Sequence, residues 1–120
     1  MSPQEFVKSY FDWSGKQIDE VVVERNEYLS KAGQVEKYLY LITDGALRAV
    51  YISREEEFTV RLGYKGSVIS SLDSFITGKP SKLYLQAIRK TRVLRLEKNT
   101  YLNFIASNPE LNSFYIKIMI

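Results

Sequence analysis

The hydrophobic pattern opens with a helix. Phe6, Val7, Tyr10 and Phe11 recur at helical spacing. Ahead of them Ser2-Pro3-Gln4-Glu5 is a start signal, with a capping Ser, Pro at the first helical position and Glu three residues after the cap. Residues 12–16, with Trp13 and Gly15, are expected to form the exit loop. From about Glu20 the period shortens to that of strands. Residues 21–25 predict a first strand, Tyr28-Leu29 a short second one, and Lys31-Ala32-Gly33-Gln34 a turn. Residues 37–43, centred on Tyr38-Leu39-Tyr40-Leu41-Ile42, are the strongest strand signal. Asp44-Gly45 is expected to make a tight hairpin turn, because Gly accepts positive φ without steric cost. Residues 46–53 then return, with Leu47, Ala49 and Tyr51 on one face. Residues 54–57 form a charged turn. In the strand at 58–64, alternation puts Phe58, Val60 and Leu62 on one face and Thr59, Arg61 and Gly63 on the other.

Lys65-Gly66 turns into Val68-Ile69. Residues 70–77 allow only a turn or two of helix, closed by Gly78-Lys79-Pro80, and Ser70-Ser71-Leu72-Asp73 carries capping residues. Strands at 83–88 and 93–96 complete the β part. Many short strands with regular turn signals predict a closed or double-sheet antiparallel architecture. Helix returns at 98–107, and Asn108-Pro109 breaks it. Pro109 then opens a further helix with Leu111, Phe114, Tyr115 and Ile118 at i, i+3, i+4 and i+7. Its apolar stripe still runs at Ile120, as in a domain cut from a longer protein or a helix buried against a partner. The organisation expected is one domain over 1–120: helix and loop to 19, β part over 20–97, and C-terminal helices over 98–120.

Composition narrows the chemistry. The 120 residues are 45% apolar and suit a single core, and no apolar run approaches the roughly 18 residues of a membrane span. A soluble cytoplasmic protein without membrane partners is the expectation. There is no Cys and no His. Structural zinc, thiolate-held iron–sulfur clusters, Cys nucleophiles and His-dependent triads are thereby excluded, and haem would depend on Met1, Met119 or a Tyr. No cofactor and no enzymatic activity are expected. A cupin-type enzyme usually needs metal-binding His, and the acidic run Glu55-Glu56-Glu57 resembles a solvated hairpin tip. The net charge of +3 is too mild to imply nucleic acid by itself. The cluster Arg89, Lys90, Arg92 and Arg95 suits a turn and strand edge facing water.

The stretch from Gly33-Gln34 through the apolar run Leu39-Tyr40-Leu41-Ile42 to Gly45 resembles the cyclic-nucleotide-binding domain. Glu36 departs from the small residue often found in that family, and Ser30 from an apolar preference. Gly66, Gln86-Ala87 and Asn108-Pro109-Glu110-Leu111 fall at family spacing, so the resemblance runs from about Val22 to Ile120. The pattern is most similar to Crp/Fnr bacterial transcription regulators. That resemblance implies a mainly β fold with flanking helices: an antiparallel β-roll or jelly roll (double-stranded β-helix), an N-terminal helix and a C-terminal dimerisation helix. It also implies a homodimer through Leu111, Phe114, Tyr115 and Ile118, and DNA contact only through a helix-turn-helix domain absent from these 120 residues.

The resemblance fails at the phosphate cassette. Family members that bind cyclic AMP carry Gly-Glu at the short helix and Arg-Ser-Ala beyond it. The Glu accepts from the ribose and the Arg pairs with the phosphate. Here those positions hold Ser70-Ser71 and Ser81-Lys82-Leu83. Cyclic AMP is therefore not expected to bind in the family's usual manner. Arg61, Ser70, Ser71, Ser81 and Lys82 form a candidate pocket for a small anionic or polar ligand instead. The functional expectation is an effector-sensing and dimerisation domain of a Crp/Fnr-like regulator. The competing reading is a stand-alone, ligand-free interaction module.

Overall fold

The computed structural model describes residues 2–111. The first helix, α1, spans Pro3–Ser14 and begins with a complete capping box. Ser2 Oγ accepts from the Glu5 amide at 3.1 Å, and Glu5 Oε1 accepts from the Ser2 amide at 3.3 Å. It runs through Trp13, where a loop was expected, because its end is set by Gly15. That glycine takes φ 66° and returns its N–H to the Phe11 carbonyl.

Eight strands follow: β1 Glu20–Val23, β2 Tyr28–Ser30, β3 Tyr38–Asp44, β4 Ala46–Ser53, β5 Glu56–Tyr64, β6 Val68–Ile69, β7 Leu83–Ala87 and β8 Thr91–Glu97. A short helix, α2 (Leu72–Thr77), lies between β6 and β7, and α3 (Lys98–Ser107) follows β8. The strands form two antiparallel four-stranded sheets in the orders β1-β8-β3-β6 and β2-β7-β4-β5. This is the jelly-roll arrangement expected from the family resemblance, with helices before and after the strands. A single 3-10 turn occupies Pro109–Leu111. Of the residues assigned to the dimerisation helix, Leu111 lies in this turn, whereas Phe114, Tyr115 and Ile118 lie outside the described residues.

The apolar run in β3 is explained by burial on both faces. Leu39 and Leu41 pack beneath the helices with Phe6, Tyr10, Tyr101 and Phe104. Tyr40 and Ile42 point the other way, between the sheets, against Leu47, Ala49 and Leu85. A strand covered on one face alone alternates; one covered on both does not.

Two turn assignments and one strand facing change. Asp44-Gly45 is not a hairpin, because β3 pairs with β8 and β6 while β4 pairs with β5 and β7. The chain here crosses from one sheet to the other. Gly45 has φ 98°, and an added Cβ would collide with Thr91 Oγ1 and lie 2.6 Å from the Lys90 carbonyl oxygen. The tight hairpin instead joins β4 to β5, with Ser53 opposite Glu56. Its loop is only Arg54-Glu55, both left-handed at φ 52° and 68°, as a type I′ turn requires. The charged turn is therefore two residues long rather than four. Finally, the pairing slips between Ala49 and Val50: Ala49 faces Arg61 while Val50 faces Thr59. Val60 is the extra residue of a bulge, so Phe58 shares the face of Arg61 rather than that of Leu62.

The basic cluster near β8 pairs with acidic residues in and flanking β1. Arg92 pairs with Glu20 at 3.1 Å, Arg95 with Asp19 at 3.0 Å, and Lys90 with Glu24 at 3.8 Å. Such exposed pairs contribute at most about 1 kcal/mol each.

Candidate functional site

The cassette positions lie where β6, α2 and β7 meet. Ser70, Ser71 and Ser81 are all buried. Ser70 Oγ donates to the Tyr38 carbonyl at 2.7 Å. Ser71 stands at the N-cap of α2 but makes no side-chain cap bond, contrary to the capping role its position suggests. Its hydroxyl meets that of Ser81 at 2.5 Å. Ser81 Oγ also contacts the Leu83 carbonyl and accepts from the Leu83 amide, both at 3.0 Å. The loop at 33–34 completes the frame, with Gly33 donating to the Ser81 carbonyl and Ser81 to the Gln34 carbonyl, each at 2.8 Å.

Two of the five candidate residues are thus in direct contact, and their hydroxyls are used on each other. Arg61 Nη2 donates to the Val68 carbonyl at 2.8 Å, and Lys82 is exposed. Among the described residues, neither cation bonds to the serines. Among the described residues, the side-chain hydrogen bonds of Ser71 and Ser81 run to each other and to Leu83, so the charge-assisted pair that fixes a phosphate has no counterpart in them. The turn glycines Gly33, Gly45 and Gly66 all take positive φ.

A second polar cluster escaped the sequence reading of the site. Glu36 is 4% exposed, and burial pushes its carboxyl pKa above the ordinary value against the opposing pull of Tyr40 and Ser30. Burial, then the adjacent Glu36, raises the Tyr40 phenol in turn. The signal was present in part: Glu36 and Ser30 are the two positions noted as departing from the cyclic-nucleotide-binding pattern. Six residues apart in sequence, they are brought together at one cleft. Among the described residues, no cluster of three or more acidic side chains is placed to hold a metal ion. No described helix is long and apolar enough to cross a membrane.

Eight strands in two sheets, interrupted by a short helix before β7, make up the roll. The family model of the cyclic nucleotide-binding domain matches residues 20–108, and the chain belongs to that family. No curated protein matches it by sequence. Among solved structures, the catabolite activator protein of Thermus thermophilus superposes with a TM-score of 0.79 at 18% identity, covering 99% of this chain and 54% of that one. A CooA variant from Carboxydothermus hydrogenoformans gives 0.76 at 15% identity, over 99% of this chain and 76% of that one. The sensor domain of the transcriptional regulator DNR from Pseudomonas aeruginosa gives 0.75 at 16% identity, over 84% and 68%. At these identities the likeness is one of fold. The chain spans about half the length of the Thermus protein.

Proposed function

We propose that the chain is the effector-sensing and dimerisation domain of a Crp/Fnr-like bacterial transcription regulator, working without catalysis in the cytoplasm. Its effector is not cyclic AMP held in the usual way. One observation carries this reading: within a complete roll of the family, the two positions that need opposite charges hold serines bonded to each other. Removing a partner from a desolvated phosphate contact costs several kcal/mol, enough to abolish useful affinity.

A small anion entering the roll would meet Arg61 and Lys82. Occupancy would shift the balance between two placements of the segment beyond Asn108, and a DNA-binding domain outside these 120 residues would read that shift. The homodimer is proposed through Leu111, Phe114, Tyr115 and Ile118.

Thermal unfolding against cyclic nucleotides, other nucleotides and small organic acids tests the reading. A ligand at about 100 times its Kd adds roughly 2.7 kcal/mol, a shift of several degrees for this size. The expected result is no shift with cyclic AMP, and a shift with another anion that Arg61→Ala removes. A shift with cyclic AMP that survives Arg61→Ala would overturn the proposal. Inertness toward every ligand, with the hydrodynamic mass of one chain, would favour a stand-alone interaction module.

A further inference from the structure

Glu36 lies against a cleft of about 520 Å³ whose lining includes none of Arg61, Ser70, Ser71, Ser81 or Lys82. Its Oε1 has no hydrogen-bond partner among the described residues, and neither has Ser30 Oγ on the same cleft. Native proteins pair nine in ten or more of such groups; here Tyr40 and Ser30 stand near enough to act on the Glu36 carboxyl, yet no bond closes on Oε1. The Glu36 backbone is already committed, its amide donating to Ser74 Oγ at 2.9 Å. The Glu36 backbone is thus fixed, while Oε1 has no partner among the described residues.

The other walls have a definite chemistry. Tyr38 and Tyr40 line the cleft with ring centroids 6.1 Å apart. The Arg95 guanidinium stacks 4.2 Å from the centre of the Tyr38 ring. Asp19 engages Nε and Nη2 of Arg95 at 3.0 and 3.3 Å, which orients the group and leaves Nη1 for another acceptor. Lys37 is exposed on the same lining. Glu36 and Tyr40 are each only 4% exposed, whereas the Arg95 side chain is 31% exposed. The acceptor is thus deep, the walls are aromatic and the cations are near the mouth.

We propose that this cleft is a second ligand site, distinct from the roll pocket. It takes a small amphoteric molecule, with a nitrogen donor on the Glu36 carboxyl and an anionic group on Arg95. The flat part of the ligand lies along Tyr38 and Tyr40. A purine nucleotide and an aromatic α-amino acid share that chemistry, each with N–H donors at one end and a phosphate or carboxylate at the other. The cleft volume falls in the range of small-molecule sites. The site goes beyond the regulator reading and does not depend on it.

Calorimetric titration of the full chain with AMP, GMP, tyrosine and tryptophan tests this, alongside the uncharged-tail probes guanosine and tyrosinamide. One arm is expected to bind saturably at one site per chain, and Glu36→Leu to weaken it tenfold or more. Thermal melts of Glu36→Leu show whether the variant folds; since it removes an unpartnered buried acid, its Tm is expected to be no lower. Arg95→Gln should weaken the anionic member of the binding arm and leave its uncharged-tail probe unchanged. Binding in the nucleotide arm alone or the amino-acid arm alone identifies the source. Absence of binding by all of them up to about 10 mM overturns the proposal. So does binding that Glu36→Leu leaves intact. If Arg61→Ala abolishes such binding, the ligand occupies the roll pocket, and the regulator reading survives while this site does not.

Discussion

Two sets of buried polar side chains are joined through residues 33–36, and they resolve the same physical problem in opposite ways. Around α2, Ser70, Ser71, Ser74 and Ser81 each spend their hydroxyl on a partner within 3 Å or so, either a carbonyl or another hydroxyl. At the neighbouring cleft, Glu36 Oε1 and Ser30 Oγ close no bond among the described residues. The first set has lost the family's charges and closed on itself. The second has gained polar groups where the family pattern has small or apolar ones, and stays open. Buried hydrogen-bonding groups left unsatisfied cost free energy, so the open set is where an outside partner has most to offer.

Breaking the closed set should have the largest effect. Ser81→Val leaves the Ser71 hydroxyl and the Leu83 amide without their partner. A loss of about 2 to 3 kcal/mol is expected in denaturant unfolding. A loss under about 0.5 kcal/mol would show that the serine contact contributes little.

Relieving the open set should do the reverse, and with a pH signature. The folded-state pKa of Glu36 lies above its ordinary value of 4.5, through burial. Its contribution to stability is therefore complete below about pH 4.5 and is lost as pH rises through the folded value. Glu36→Gln removes this charge. The variant should match the wild type near pH 4 and exceed it by on the order of 1 kcal/mol at pH 7 to 8. Stability measured across that range decides it, and a variant less stable at pH 8 than at pH 4 relative to wild type would contradict the assigned direction.

The smallest change lies in the β4–β5 hairpin, remote from both sets. Glu55 holds φ 68° in a two-residue turn that favours Gly at this position. Glu55→Gly should stabilise by a few tenths to about 1 kcal/mol, read as a small rise in Tm. It serves as a reference for a purely local backbone effect.

Much of the fold was legible because it rests on local rules. The capping box at Ser2 and Glu5, the apolar run at 39–42 and the turn glycines are each visible within a few residues. The errors share a cause. Asp44-Gly45 carries a turn signal whether the chain folds back on itself or crosses to another sheet, and only the strand partners distinguish the two. Arg54-Glu55 carries no turn residue at all, so the true hairpin was placed too broadly. The bulge at Val60 left no trace, because an extra residue reads as one more step of the alternation.

The site was less legible for a related reason. The missing Glu and Arg of the cassette were apparent from Ser71 and Ser81, but ten positions of chain separate those hydroxyls and nothing local says that they meet. Likewise Glu36 and Ser30 appeared as two unconnected departures from a pattern. By itself the sequence determined a closed or double-sheet antiparallel architecture with flanking helices and the absence of Cys and His chemistry, since periodicity, caps and composition are properties of short segments; the roll was what the family resemblance implied. Which hydroxyls close on each other, which carboxyl is left open and which face Arg61 shares were decided only by tertiary structure. Hydrogen-bond satisfaction depends on groups brought together across the chain, and burial removes the water that would otherwise have answered for them.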